Sequence, residues 1–190
     1  MFIQTEPTPN PNTLKFLPGE PVAKGTVADY SSREAAAASP LAAALFAVDG
    51  VTRAFFGADF ISLSKDQSAD WAVVKPLALA AIMDYYTSGA SAADAAGGAR
   101  ETESGHSDHE GDENAELIVQ IKELLDTRVR PSVANDGGDI VFRAFKDGIV
   151  YLHMQGACSG CPSSTATLKH GIENLLRYYV PEVQSVQAVD

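Results

Sequence analysis

Cysteine is nearly absent from this chain, which has two cysteines among 190 residues. A small scaffold held by several disulfides is therefore excluded. Basic residues are also scarce, since 14 Lys and Arg stand against 25 Asp and Glu, for a formal net charge of -11. A nucleic-acid partner is not expected, because neutralising phosphates requires clustered Lys and Arg.

Long hydrophobic runs are missing as well. The two richest apolar stretches, Ala35–Val48 and Val73–Met83, are interrupted by proline and polar residues, so no membrane-spanning helix is expected. The first residues have neither the basic start of a secretion signal nor the Arg-rich bias of a transit peptide. We therefore expect a soluble protein of a reducing compartment. This is the bacterial cytoplasm, or the mitochondrial matrix if a presequence was removed.

One segment divides the chain by composition. From Ser88 to Asn114 there is no Val, Ile, Leu, Met, Phe, Trp or Tyr, so this segment cannot bury enough apolar surface to offset the entropy of ordering. Residues 89–113 carry -6 of the net charge of -11. We predict a flexible acidic linker at 89–113 that joins two small α+β domains, residues 1–88 and 114–190.

The first domain shows alternating strands and helices but no concentration of reactive side chains. It has no Cys, no His and no glycine-rich phosphate loop, so no catalytic role is predicted for it. The predicted elements are strands at Phe2–Glu6 and Thr13–Leu17, a helix at Ala35–Val48, a hairpin of Val51–Phe56 with Phe60–Ser64, and a helix at Lys75–Tyr86. Pro76 is expected at the start of the last helix, with Leu77, Ala78, Ala81, Ile82 and Tyr85 on one face.

The second domain is predicted to have the order α-β-β-α-β. Its first helix carries apolar residues from Leu117 to Val129 and is limited by Pro131. Strands at Ile140–Phe145 and Ile149–Met154 are joined by a tight turn at Asp147-Gly148, with Ile140, Phe142 and Ala144 on one face. The remaining elements are a helix from about Ser163 to Tyr179, facing inward with Leu168, Ile172, Leu175, Leu176 and Tyr179, and a strand at Pro181–Val189.

Both cysteines, Cys158 and Cys161, lie where the second strand of this domain gives way to the second helix. The C-x-x-C spacing directs two sulfurs to one side of a turn. The start of the following helix is expected to lower the pKa of the thiols. Soft thiolates select zinc, copper(I) or iron–sulfur clusters over hard cations.

Four interpretations of this pair are open from the residues alone. The cysteines are buried apolar residues, a thioredoxin-like dithiol, half of a zinc site, or ligands of a cluster shared between chains. A dithiol of that type follows a strand in a parallel sheet, whereas here a hairpin supplies the strand. A closed zinc site needs four ligands, and His153 and His170 are not at a standard spacing from the pair. A shared cluster is consistent with two thiolates per chain, because a two-fold interface supplies the other two.

The flanking residues add a family resemblance. Asp136-Gly137-Gly138-Asp139-Ile140, followed by GACSGCPSSTATLKHGIENLL from Gly156 to Leu176, closely resembles the C-terminal domain of NifU, the Nfu domain. The start, PTPNPNTLKFLPG from Pro7 to Gly19, resembles the N-terminal domain that accompanies it in Nfu-type proteins. Together the resemblance covers both predicted domains and omits the acidic linker.

The resemblance implies a scaffold or carrier for iron–sulfur cluster maturation, and no enzyme. Cys158 and Cys161 are then ligands of a labile cluster, [4Fe–4S] or alternatively [2Fe–2S], at the interface of a homodimer. The cluster comes from upstream donors and passes to apo-proteins such as lipoyl synthase and aconitase. Full-length NifU has further cysteine-bearing domains that are missing here, which favours a late carrier role. The cluster-free form is expected to be monomeric, because no large exposed apolar patch is evident. A dithiol redox protein that uses the same pair is the alternative.

Overall fold

A computed structural model describes residues 2–23, 27–89, 112–159 and 162–189. The chain divides into two compact units, Met1–Glu101 and Thr102–Asp190, and each has its own sheet and helices. The predicted α+β class is therefore confirmed. Most of the predicted linker lies outside the described residues. Within the described ranges, no helix is both long and apolar enough to cross a membrane.

The first unit is a five-stranded antiparallel sheet with three helices. Its elements are β1 (Gln4–Pro7), β2 (Thr13–Leu17), β3 (Ala28–Tyr30), α1 (Arg33–Ala36), α2 (Pro40–Phe46), β4 (Val51–Phe56), β5 (Ile61–Lys65) and α3 (Trp71–Thr87). The strands are ordered β1-β2-β5-β4-β3. The predicted β4–β5 hairpin is confirmed, with Phe56 opposite Ile61. Strand β3 was not predicted, because three residues are too few to show a period of two.

The helical region between β3 and β4 differs from the prediction of one helix at Ala35–Val48. It forms two short helices, α1 and α2, separated at Ser39. The Ser39 hydroxyl accepts a hydrogen bond from the Ala42 amide at 3.3 Å, and Pro40 occupies the first turn of α2, where its missing N–H costs nothing. A serine followed by proline therefore starts a new helix here instead of continuing the old one.

Helix α3 begins earlier than predicted. Asp70 caps it by accepting a hydrogen bond from the Ala72 amide at 2.9 Å, so Pro76 lies inside the helix and not at its start. The buried residues of α3 are Val74, Ala78, Ile82 and Tyr85. Leu77, which was predicted to share a face with Ala78 and Ile82, is instead 50% exposed. Because the helix begins at Trp71, its buried face also includes Val74.

The second unit has a three-stranded mixed sheet. Its elements are α4 (Asp112–Leu124), a π-helical turn (Leu125–Val129), α5 (Arg130–Asn135), β6 (Gly138–Lys146), β7 (Ile149–Gly156), α6 (Pro162–Tyr179) and β8 (Ser185–Val189). Strand β7 lies between an antiparallel β6 and a parallel β8. The predicted turn at Asp147-Gly148 is confirmed, and both residues have positive φ, 52° and 75°, as a tight hairpin of the primed type requires.

The first helix of this unit does not end before Pro131, contrary to the prediction. The Arg130 amide donates to the carbonyl of Leu125, five residues earlier, which is the hydrogen bond of a π-helical turn. Pro131, which has no N–H, then falls in the first turn of α5, where an amide hydrogen is not needed. The extra residue in the π turn lets the chain remain helical through the proline.

The predicted face of strand β6 and the predicted inward face of helix α6 also need correction. A β-bulge lies between Phe142 and Ala144, and beyond it Phe145, not Ala144, pairs with Val150 and packs on the core. A bulge adds one residue to one strand and so reverses the alternation after it.

On α6, Ile172 and Leu176 are buried as predicted. Tyr179 is 40% exposed, because it is the last residue of the helix.

We predict that the two units fold independently. Fragments comprising residues 1–89 and 112–190 are expected to unfold cooperatively, because each contains a complete sheet and its own buried cluster. Circular dichroism during denaturation tests this, with the full chain as the reference. Each fragment is expected to reproduce one of the transitions of the full chain. A fragment without a cooperative transition would contradict the division.

Candidate metal centre

The Cys158 segment is a tight turn at the end of β7. Gly156, the last residue of that strand, has φ of 63° and lies opposite Gly138 at the start of β6. The Ala157 amide then donates to the Gly137 carbonyl at 3.1 Å, and the Ser159 amide donates to the Gly156 carbonyl at 3.1 Å. These hydrogen bonds fix the backbone on both sides of Cys158. Cys161 lies outside the described residues.

Gly138 provides the space in which the Cys158 sulfur lies. A Cβ atom at Gly138 would be 2.6 Å from Sγ of Cys158 and 2.7 Å from the carbonyl oxygen of Gln155. Both separations are far below van der Waals contact, so only a hydrogen atom fits there. Gly138, which pairs with Gly156, thus forms a cradle for one thiol.

The turn is also connected to the helix that follows it. The Thr165 hydroxyl, in the first turns of α6, donates to the Cys158 carbonyl at 2.9 Å. The position of Cys158 is therefore set from three sides: by the end of β7, by the start of β6 and by α6.

Burial and acidic neighbours together raise the pKa of the Cys158 thiol to about 12, with burial the larger cause and the charges of Asp136 and Asp139 the smaller one. Only 6% of the residue is exposed. The expected lowering of this pKa by the following helix is therefore wrong for Cys158. The sequence shows the helix start but not the depth of the sulfur or the acids that lie near it.

An ion pair stands beside this cradle. Arg130 donates to both carboxylate oxygens of Asp139, at 2.8 and 2.7 Å, and to Asp126 at 3.2 Å. Asp139 is buried and directly follows Gly138. The two hydrogen bonds therefore connect the start of α5 to the strand that carries the cradle. No sequence pattern indicated Arg130, because its position depends on the π-helical turn before it.

The histidines weighed for a zinc site are placed apart from any metal-binding group. His153 Nδ1 is 3.1 Å from the Val189 carbonyl oxygen on β8, and His170 is exposed on α6. Among the described residues, no group of three or more His, Cys, Asp and Glu is placed to hold a metal ion. The donor set of this turn is therefore sulfur, which suits a soft metal or an iron–sulfur cluster.

Two family descriptions match the chain, one for each unit. "Scaffold protein Nfu/NifU N terminal" matches residues 3–89, and "NifU-like domain" matches residues 121–187. The chain belongs to the Nfu family of iron–sulfur cluster scaffold proteins. The second match contains the Cys158 turn, its cradle and the Arg130–Asp139 pair. The first match covers every element from β1 to α3.

Relatives match this chain over its full length. A protein of Homo sapiens named "NFU1 iron-sulfur cluster scaffold homolog, mitochondrial" is 49% identical over 190 residues, which is 100% of this chain and 72% of that protein. The protein of the same name from Drosophila persimilis is 52% identical over 190 residues, with 100% of this chain and 65% of that protein covered. The chain thus spans slightly less than two thirds of the Drosophila relative.

A solved structure is also similar to part of the chain. It is the solution structure of a NifU-like protein from Saccharomyces cerevisiae, with 27% identity, a TM-score of 0.42, and coverage of 46% of this chain and 80% of that one.

We predict that Gly138→Ala damages the cradle. The new methyl group must displace the Cys158 sulfur or the Gln155 carbonyl, and overpacking of this kind costs about 1–3 kcal/mol of unfolding free energy. Gly171→Ala is the matched control, because Gly171 lies in α6 with nothing within 4 Å of an added Cβ. It is expected to stabilise the unit by about 0.5–1 kcal/mol. Urea denaturation measures both changes, and equal effects of the two variants would contradict the cradle.

We also predict that Cys158 reacts slowly with alkylating agents. The thiolate is the reactive form, and a pKa of about 12 leaves very little of it at neutral pH. The Cys161→Ser variant leaves Cys158 as the only thiol in the chain. Its reaction with iodoacetamide at pH 7.5 is expected to be at least about 10²-fold slower than that of a model thiol. The rate should rise steadily beyond pH 9, and a plateau near pH 8 would contradict the burial of this thiol.

Proposed function

We propose that this protein carries an iron–sulfur cluster between proteins, holding it between two copies of the chain and passing it to apo-proteins. Cys158 and Cys161 of each copy are the ligands, and the cluster is of the [4Fe–4S] type. The cluster is cargo and not a resident cofactor. The protein has no catalytic residues in this proposal, consistent with relatives that are named as scaffolds.

The observation that carries the proposal is the shortage of ligands around a well-formed sulfur site. The chain has two cysteines in total, and the described part of the second unit offers no group of three or more metal-binding side chains. A cluster with four iron atoms takes about four thiolates. A two-fold pair of chains supplies them, since an isologous interface presents the same turn twice.

The chain's own groups account for loading and release by ligand exchange. Loading replaces the thiol proton of each ligating cysteine by a bond to iron, and the proton goes to solvent. Transfer replaces each of those bonds by one to a thiolate of the receiving protein, and the released cysteine thiolate takes up a proton from solvent. The oxidation state of the iron need not change in this exchange. Release from each chain requires breaking the bonds between iron and only two cysteine sulfurs.

The dithiol alternative is not favoured. A redox dithiol attacks a disulfide as a thiolate, and such cysteines have a lowered pKa. The pKa of Cys158 is raised to about 12 instead. A buried thiol of this kind is a poor nucleophile, and it becomes a ligand only when a metal displaces its proton.

The compartment and the recipients follow from the same proposal. The relatives are named as mitochondrial proteins, which supports the mitochondrial matrix over the bacterial cytoplasm. The proposed recipients are apo-proteins that require [4Fe–4S] clusters, such as lipoyl synthase and aconitase.

Anaerobic reconstitution tests the proposal. We expect a cluster-loaded dimer with about two iron and two sulfide per chain, seen by sizing chromatography with both elements assayed on each peak. Cys158→Ser and Cys161→Ser are each expected to abolish stable loading while the far-ultraviolet circular dichroism is preserved. The loaded dimer should restore activity to cluster-depleted aconitase. A monomer with about four iron per chain would defeat the model.

A further inference from the structure

An exposed apolar stripe runs along the outward face of α3 in the first unit. Val73 is 62% exposed, Leu77 50% and Met83 42%, and the exposed Ala80 lies between them. These residues recur at the three- and four-residue spacing that places side chains on one face of a helix. The sequence pattern alone did not indicate this stripe.

The composition of α3 indicates that this face is covered by a partner. The inward face of the helix is already buried through Val74, Ala78, Ile82 and Tyr85. Among its 17 residues, only Lys75 and Asp84 are charged. A helix that is apolar on all sides is normally buried on all sides, and a contiguous exposed apolar patch marks an interaction site.

Charge on the stripe selects the kind of partner. Asp84 is exposed on the outward face, four residues after Ala80, and forms no ion pair among the described residues. Lys75, the only base on the helix, is half-buried and lies about 160° around the helix from Val73 and Leu77. The helix also ends there, and its carboxyl end carries partial negative charge. Residues 89–113, which follow at once, add a net -6.

We propose that this α3 stripe docks an amphipathic helix with an apolar face and flanking Lys or Arg residues, contributed by a protein that gives or receives the cluster. That the helix comes from such a protein rests on the proposed function, whereas the docking itself does not. The apolar face packs on Val73, Leu77 and Met83, and a basic side chain pairs with Asp84. The first unit is then the recognition module, and the second holds the cargo.

Two other occupants fit the stripe less well. A second copy of α3 would bring Asp84 into an apolar seam whose only bases are displaced from it. An anionic membrane surface would be repelled by the exposed carboxylate of Asp84 and by the acidic residues that follow. Both occupants are outcomes of the test.

The test uses the full-length, cluster-free chain and two synthetic helical peptides of about 18 residues, or five turns. Both have the same leucine stripe, and their flanking residues are all Lys in one and all Glu in the other. Trp71, the only tryptophan of the chain and the first residue of α3, reports binding through its fluorescence. The Lys peptide is expected to bind saturably, and more tightly than the Glu peptide.

Variants separate docking from non-specific association. Leu77→Ser is expected to weaken the Lys peptide about tenfold, because it removes an apolar contact worth about 1.5 kcal/mol. Asp84→Lys is expected to reverse the preference between the two peptides. Val119→Ser is the matched control, because Val119 is equally exposed at 63% but lies on α4, in the other unit. It is expected to change nothing.

Several results would overturn the proposal. These are no saturable binding of either peptide, an equal loss with Val119→Ser, or a preference that Asp84→Lys leaves unchanged. Self-association in sedimentation that Leu77→Ser abolishes would identify a second copy as the occupant. Binding to vesicles of anionic phospholipid that Leu77→Ser abolishes would identify a membrane. The Leu77→Ser variant should still load one cluster per two chains. A failure of helix docking can therefore be distinguished from a failure of cluster binding.

Discussion

The missing side chain of Gly138 is the constraint on which the candidate site depends. The Cys158 sulfur occupies the space that a Cβ atom would need, at 2.6 Å from its position. That close approach requires β6 and β7 to pair glycine against glycine at their ends, and it requires the turn after Gly156 to fold back over the first strand. The ion pair of Arg130 with Asp139 holds the same strand end from the helix side. Sheet register, turn and helix therefore all bear on the position of one sulfur atom.

The two units differ in which groups they bury and which they expose. The second unit buries a thiol among apolar residues and near acids, which raises the pKa of that thiol. The first unit has no cysteine and instead leaves apolar area on α3 exposed to solvent. The first unit therefore exposes apolar side chains, and the second unit buries a thiol. The two proposals, cluster binding by the second unit and helix docking on the first, each account for one of these features.

The sequence predicted those features that depend on local pattern. The hairpins, the α+β class, the order of elements in the second unit and the turn at Asp147-Gly148 follow from alternation and turn residues. The errors arose where one residue changes the phase of a pattern, as at the bulge beside Ala144 and at Ser39, where one helix becomes two. The environment of Cys158 was missed for a different reason. Its burial depends on contacts between segments about twenty residues apart, and no local window contains them.

The π-helical turn at Leu125–Val129 lets the second unit keep one buried face along a helical segment that contains an additional residue. Four residues, Ile121, Leu125, Val129 and Val133, are buried at four-residue intervals along this segment. In a regular α-helix that spacing would turn the face by about 120° between Ile121 and Val133, and the wider π turn offsets part of that rotation. Deleting one residue there would leave an ordinary α-helical turn in which Ile121 and Val133 still share a face, because about three turns would then separate them. At this place in the chain, the helix can differ in length by one residue and retain its buried face.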